Sequence, residues 1–282
     1  MEQLPRLQAR IANLKELRDL MRALRALAAS HVQEAQAALP GIRRYVQVVE
    51  DAIAEGAVLL REAPGPPPAP AGEAVLIAVC SEHGFAGPFN DHLLDRVEAE
   101  IDGGRRLLVV GRRGAAMARE RGLAVDWETA MATHVGGVPP VTRRLAARLA
   151  DVSAAGVVFG SYRRGGHFQV ESRAILPLDP ALTDGLERRG PPLHHLPPGE
   201  LLRRLTEEYL FGELTRAVMD SLASENGARL RVMEAADRNI GDKLDDLRRD
   251  EHSLRQEAIT SELLDVVTGS EAILGQADNG RP

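Results

Sequence analysis

The sequence predicts an α/β protein in which a long antiparallel coiled coil of the N- and C-terminal helices carries an inserted Rossmann-like, mostly parallel α/β domain. Three observations predict it. Apolar residues recur at spacings of three and four along both ends of the chain. Between those ends, short apolar runs bounded by glycine alternate with amphipathic stretches. Aromatic residues make up only 3% of the 282 residues, whereas Leu, Ala, Arg and Glu dominate, a mixture that suits long helices better than a core built on large rings.

The first segment, residues 1–62, carries Leu4, Leu7, Ile11, Leu14, Leu17, Met21, Leu24 and Ala28 on one helical stripe. Pro5 falls in the first turn, where its missing N–H costs nothing. The step Leu39-Pro40-Gly41 is expected to kink or interrupt the helix. The stripe resumes at Ile42, Val46, Val49 and Ile53. Residues 63–72, APGPPPAPAG, admit neither helix nor central strand and are expected to be a linker.

The second segment, residues 73–192, is the predicted α/β domain. Ala74 to Val79 forms an apolar run expected to be a buried strand, followed by a helix over about Asn90 to Ile101. Arg106 to Val110 predicts a second strand, with a helix after Gly114 and another over about Val141 to Ala150. Gly156 to Gly160 predicts a third strand, and the looser alternation of His167 to Ile175 suits an edge strand.

The third segment, residues 193–282, contains one uninterrupted helical pattern from about Pro198 to Gln276. Such a helix is on the order of 110 Å long, far more than a domain of this size can enclose. It must pack on another long helix, on a partner, or on both, and the first segment is its evident mate. Gly227 and Gly241 fall on or near the seam, and an interior helical glycine costs roughly 1 kcal/mol against alanine. They imply either close approach or tolerated bending.

The remaining signals exclude more than they suggest. A net charge of −6 argues against nucleic-acid binding. The opening MEQLPRLQAR does not read as a secretory signal, and no run nears the roughly 18 to 20 apolar residues of a membrane span, so no direct membrane insertion is expected. The single cysteine, Cys80, allows neither an intramolecular disulfide nor a four-cysteine zinc site. Cys80 and His83 sit where a strand ends, a favoured place for active sites, yet no third group orients them, so a buried strand-end cysteine is the expectation. Gly111-Arg112-Arg113-Gly114 reads as a turn, and His194-His195 lacks further spaced ligands. No catalytic residue, metal or cofactor is nominated.

Several blocks then resemble one family in order along the chain. Ser221 to Arg229, SLASENGAR, resembles the pattern SxxSExxAR of the gamma subunit of F-type rotary ATP synthases, and Met233, Ala236 and Asn239 follow its MxxAxxN. Leu254 to Leu264, LRQEAITSELL, resembles ARQxxITxEL, and Val266 to Ala272 resembles the ending IVxGAxA. Ser81 to Asn90, SEHGFAGPFN, is similar to SDRGLCGGFN; Gly111 to Gly114 to GKKG; Ile175 to Leu178 to LLPL; and Leu27 to Ser30 to VAAS. The departures include Arg22 and His31 in place of the family's usual lysines, and Glu251-His252 in place of Tyr-Asn. They fit a divergent member, including one serving an alternate F-type ATPase.

The resemblance implies a central-stalk shaft that couples transmembrane ion flow to ATP synthesis or hydrolysis at beta, without an active site of its own. It implies alpha, beta and epsilon subunits and the c-subunit ring as partners. It places the chain peripherally at the cytoplasmic face of the plasma membrane. The interface residues it nominates are Arg22, Arg25, Arg255, Gln256, Thr260, Glu262, Val266 and Val267. Two rivals remain on sequence alone: a small α/β enzyme dimerised by helical arms, and a coiled-coil scaffold unrelated to ATP synthesis.

Overall fold

The computed structural model describes residues 3–61, 72–102, 104–182 and 193–278; for 60, 61, 265 and 268–278 it describes the backbone only. The expected linker therefore lies, except for Gly72, outside the described residues, as do the side chains of Thr268, Gly269, Ser270, Ala272 and Ile273. The chain divides into two compact units, Arg25–Val232 and a second formed by Met1–Leu24 with Met233–Pro282.

The larger unit is built on a five-stranded sheet: β1 (Glu73–Val79), β2 (Arg105–Val110), β3 (Val125–Thr129), β4 (Val152–Arg163) and β5 (His167–Leu176). Its order is β3-β2-β1-β4-β5, parallel except for the antiparallel hairpin of β4 with β5. Three helices cross between strands: α2 (Phe89–Glu100), α3 (Arg112–Glu120) and α4 (Val138–Arg148). Strand β3 was not anticipated. Its sequence, VDWET, has no apolar run, because this edge strand is only partly covered: Val125, Trp127 and Thr129 are half-buried while Asp126 and Glu128 are exposed.

Alternation along β1 sorts the core into two layers. Leu76, Ala78 and Cys80 join Leu107, Val109 and Val158 beneath α2 and α3, where Phe89, Leu93, Leu94, Ala115 and Ala118 close the layer. Val75, Ile77 and Val79 join Leu108, Val110, Val157 and Phe159 on the other face. That face is covered by α4 and by the two long helices, α1 (Gln3–Arg61) and α5 (Pro198–Asp278), through Ala35, Leu39, Leu214, Val218 and Leu222. Each fully buried leucine or valine here contributes about 1.5–3 kcal/mol by leaving water.

Within this unit α1 and α5 run antiparallel. Tyr45 donates to Glu208, Arg43 approaches Asp220 at 3.7 Å, and Gly56 lies against Leu202 and Leu205. Val46, Val49, Ile53 and Tyr209 form their buried seam. The expected interruption at Pro40 does not occur: α1 runs through it as one helix. The proline sits on the exposed side while Leu39 and Ala35 are buried, so the carbonyl that loses its N–H partner faces water and the seam is untouched.

The smaller unit repeats the antiparallel pairing. Ile11 packs with Leu244 and Leu247, flanked by Leu7, Leu14 and Ile240. Asp237 accepts hydrogen bonds from Arg18 Nε at 2.8 Å and Arg22 Nε at 3.1 Å, and Gln8 donates to Glu251 at 3.0 Å.

The two helical glycines separate. A Cβ on Gly227 would come within 2.8 Å of the Tyr162 ring and 3.0 Å of Gly166 Cα, so this glycine is required by the β4–β5 hairpin resting on α5. A Cβ on Gly241 would meet only the guanidinium of Arg18, a flexible side-chain end. Close approach explains the first; the second is tolerated.

Candidate partner interface

The C-terminal portion of α5 is the most distinctive surface of the smaller unit. From Arg255 onward its described side chains are exposed, including Ile259, Leu263, Leu264, Val266 and Val267, each more than half accessible. Aliphatic side chains exposed in a row along a helix leave apolar area in water that a monomeric protein rarely tolerates.

Among the described residues, Arg255 and Thr260 engage only their own helix. Arg255 bonds to Glu251 at 3.0 Å, one turn back, with half of its side chain in solvent. Thr260 Oγ1 donates to the carbonyl of Gln256 at 2.8 Å. The side chains of Gln256 and Glu262 face solvent. Arg255, Gln256, Thr260, Glu262, Val266 and Val267 thus share one exposed stretch of α5.

Arg22 and Arg25 belong to different units. Arg22 is held by Asp237, whose carboxyl is kept below the ordinary range by its hydrogen bond from Arg18 and by the nearby charge of Arg22. Arg25 is half-buried in the larger unit and forms no ion pair with any described residue.

Sequence reading underrated the SxxSExxAR block. Its side chains fasten α5 to the carboxyl ends of β1 and β4. Ser221 Oγ donates to the Val79 carbonyl at 2.6 Å and accepts from the Gly160 N–H at 3.3 Å. Glu225, only 3% exposed, pairs with Arg229 at 2.5 Å, and Arg229 also reaches Asn226 Oδ1 at 2.8 Å. Burial pushes the Glu225 carboxyl up to about 7 despite the arginine. The signal available in sequence was the density of small polar residues on an otherwise aliphatic helix. The crevice at the strand ends, where doubly wound sheets commonly bind ligands, is filled by this helix.

Nor does the strand-end cysteine offer a nucleophile. Cys80 is buried, and burial followed by the nearby Glu225 charge pushes its thiol up to about 12. His83 is exposed. Glu82 turns inward to accept the backbone N–H of Met131 at 2.8 Å and of Arg112 at 3.2 Å, placing a carboxylate at the start of α3. Among the described residues no group of three or more His, Cys, Asp or Glu is placed to hold a metal, and no helix is long and apolar enough to cross a membrane.

A family model described as ATP synthase matches residues 3–273. The ATP synthase gamma chain of Sorangium cellulosum is 28% identical, covering 97% of this chain and 99% of that one. The gamma chain of Bdellovibrio bacteriovorus is 26% identical, covering 98% and 100%. Among solved structures, a chain of the rotor of Euglena gracilis mitochondrial ATP synthase shares the fold at a TM-score of 0.64 and 12% identity, covering 91% of this chain and 98% of that chain. A chain from the central stalk and c-ring structure of Tetrahymena thermophila mitochondrial ATP synthase gives 0.56 at 16% identity over 77% of this chain and 99% of that chain.

The chain belongs to the ATP synthase gamma chain family, a divergent member of it. It is a non-catalytic rotor component: the central-stalk gamma subunit of an F-type ATP synthase.

Proposed function

We propose that the C-terminal surface of α5 turns inside a hexamer of alpha and beta subunits, with the sheet-bearing unit meeting the c-subunit ring and the epsilon subunit. In that arrangement the chain sits peripherally at the cytoplasmic face of the plasma membrane. Ion flow through the ring drives it round, and beta performs the chemistry. The observation that carries this reading is the exposed aliphatic row Ile259, Leu263, Leu264, Val266 and Val267. Such side chains form no directional bonds that must break as a shaft turns in its sleeve.

Arg255 is the polar exception. Half of its side chain is in solvent, and a helical ion pair one turn apart is worth only about 0.3–0.5 kcal/mol, while its partner Glu251 also accepts from Gln8. The guanidinium is therefore free to exchange that partner for a carboxylate on beta, in a bidentate, charge-assisted bond. Arg22, Arg25, Gln256, Thr260 and Glu262 complete the proposed contact set. The domain limits proposed for the whole chain are 1–62, 63–72, 73–192 and 193–282.

Co-expression with alpha and beta tests the reading. A gamma subunit co-purifies as a stable ATP-hydrolysing complex, and Arg255→Ala alters turnover or coupling in it. Failure to assemble would overturn the reading; normal synthesis and hydrolysis by the variant would remove Arg255 from the mechanism.

A further inference from the structure

The pairing of α1 with α5 in the smaller unit rests on two kinds of contact, and only one of them is particular about alignment. The apolar seam is Ile11 with Leu244 and Leu247, flanked by Leu7, Leu14 and Ile240. Those residues recur every three or four positions on both helices, so a pairing displaced along the axis would again set aliphatic against aliphatic. The polar contacts are tied to one alignment. From Gln8 through Arg18 to Arg22 on α1, the facing residues on α5 are Glu251, Gly241 and Asp237, the same steps taken in the opposite direction.

Asp237 is the centre of these contacts. One carboxylate oxygen, Oδ1, accepts from Arg18 Nε at 2.8 Å and from Arg22 Nε at 3.1 Å, and the side chain is only 16% exposed. A Cβ on Gly241, one turn along α5, would lie 3.0 Å from Arg18 Nη2 and 3.4 Å from its Cζ, so the guanidinium rests across bare backbone there. The glycine leaves room, and the carboxylate holds the group in place. Arg18 and Arg22 are themselves one turn apart on α1, and like charges at that spacing repel. Asp237 lets both stand against α5. Without it two cations would face the seam, with Asp19 at 3.8 Å from Arg22 as the nearest remaining ion pair of either, and a slipped or splayed pairing would relieve them.

We propose that Asp237 is a positioning residue of the rotor, locking the alignment of α1 on α5 so that torque applied to one helix is carried by both. Both helices continue from this unit into the sheet-bearing one. A slip between them would therefore let one helix turn or slide without the other. Alignment is a property of the free chain, whereas torque depends on the rotary arrangement proposed above, so the two are measured separately.

Nitroxide labels on cysteines introduced at exposed Glu16 and Glu257 report alignment in the full chain, with buried Cys80 left unlabelled. The two positions are offset along the axis, so each turn of slip changes their separation by up to about 5.4 Å. Pulsed electron resonance is expected to give one narrow distance distribution for the parent. Asp237→Asn keeps the shape and removes the charge, and its distribution is expected to broaden or shift; Asp237→Glu restores the carboxylate and is expected to narrow it again. In the complex with alpha and beta, Asp237→Asn is expected to hydrolyse ATP as the parent does without load, yet to slow or stall against a large bead, with recovery in Asp237→Glu. An unchanged distance distribution in Asp237→Asn overturns the proposal, as does loaded rotation equal to the parent's. If the parent itself does not rotate, the rotary arrangement fails and the distance measurement alone decides the role of Asp237.

Discussion

At the scale of single residues, the informative positions are those where a side chain is missing or a charge is buried. Gly227 and Gly241 look alike in sequence, each interrupting an aliphatic helix face, yet they predict opposite results. Gly227→Ala drives a methyl into Tyr162 and the Gly166 backbone and is expected to destabilise by about 1–3 kcal/mol, less the helix-propensity gain. Gly241→Ala meets only a mobile guanidinium and is expected to be neutral or to stabilise by up to about 1 kcal/mol. Urea unfolding of the two variants checks the contrast; equal effects would contradict the packing described for the hairpin.

Glu225 gives a second prediction at this scale, concerning global stability. Its carboxyl titrates in the ordinary range when unfolded and at about 7 when folded. Between those values the folded chain holds the extra proton. Its stabilising contribution is full below the unfolded value and is lost as pH rises toward about 7. The raised carboxyls of Asp220 and Glu50, both desolvated, act in the same direction. Glu225→Gln is expected to flatten this part of the stability–pH curve. A variant curve parallel to the parent's would show that Glu225 is not the group responsible.

At the scale of elements, the helices were the most legible part of the sequence because 3.6-residue periodicity accumulates over many turns. The limits of α1 and α5 fall within a few residues of expectation. Three strands were legible as apolar runs because the sheet is covered on both faces. Strand β3 was not, since Asp126 and Glu128 break the run at an edge. Of the kink or interruption expected at Pro40, the interruption does not occur, because the rule for proline describes an isolated helix. Here Leu39 and Val46 are clamped against neighbours on one side while the proline faces water on the other. Restoring the N–H with Pro40→Ala is expected to raise stability by about 1–3 kcal/mol, measured by thermal or urea unfolding. No change would imply that the carbonyl at Gln36 is already fully satisfied by solvent.

The candidate interface was legible in a different manner. The surface of α5 could be named from the LRQEAITSELL block, but its exposure could not, because an aliphatic stripe on a helix ordinarily marks a core. Only the structure distinguishes Leu244 and Leu247, which meet Ile11, from Leu263 and Val266, which stand in solvent. The buried Glu225–Arg229 pair was similarly hidden: a spacing of four with the acid first suits an exposed helix pair equally well.

At the scale of the whole molecule, the chain is the central-stalk rotor component of an ATP synthase, and rotation against the alpha–beta hexamer is the motion proposed for it. Charged or bulky substitutions in the α5 row, such as Leu263→Glu, are expected to impair assembly or turnover of the complex while leaving the fold of the isolated chain intact, because that side chain is exposed in it. Circular dichroism of the free chain beside ATPase assay of the complex separates the two effects. The most direct measurement attaches a bead to the sheet-bearing unit through a cysteine introduced at exposed Asp126, with the alpha–beta hexamer fixed to a surface; buried Cys80 leaves the label specific. Sustained rotation of the bead in one direction is expected on adding ATP. A bead that stays still while the complex hydrolyses ATP would contradict it.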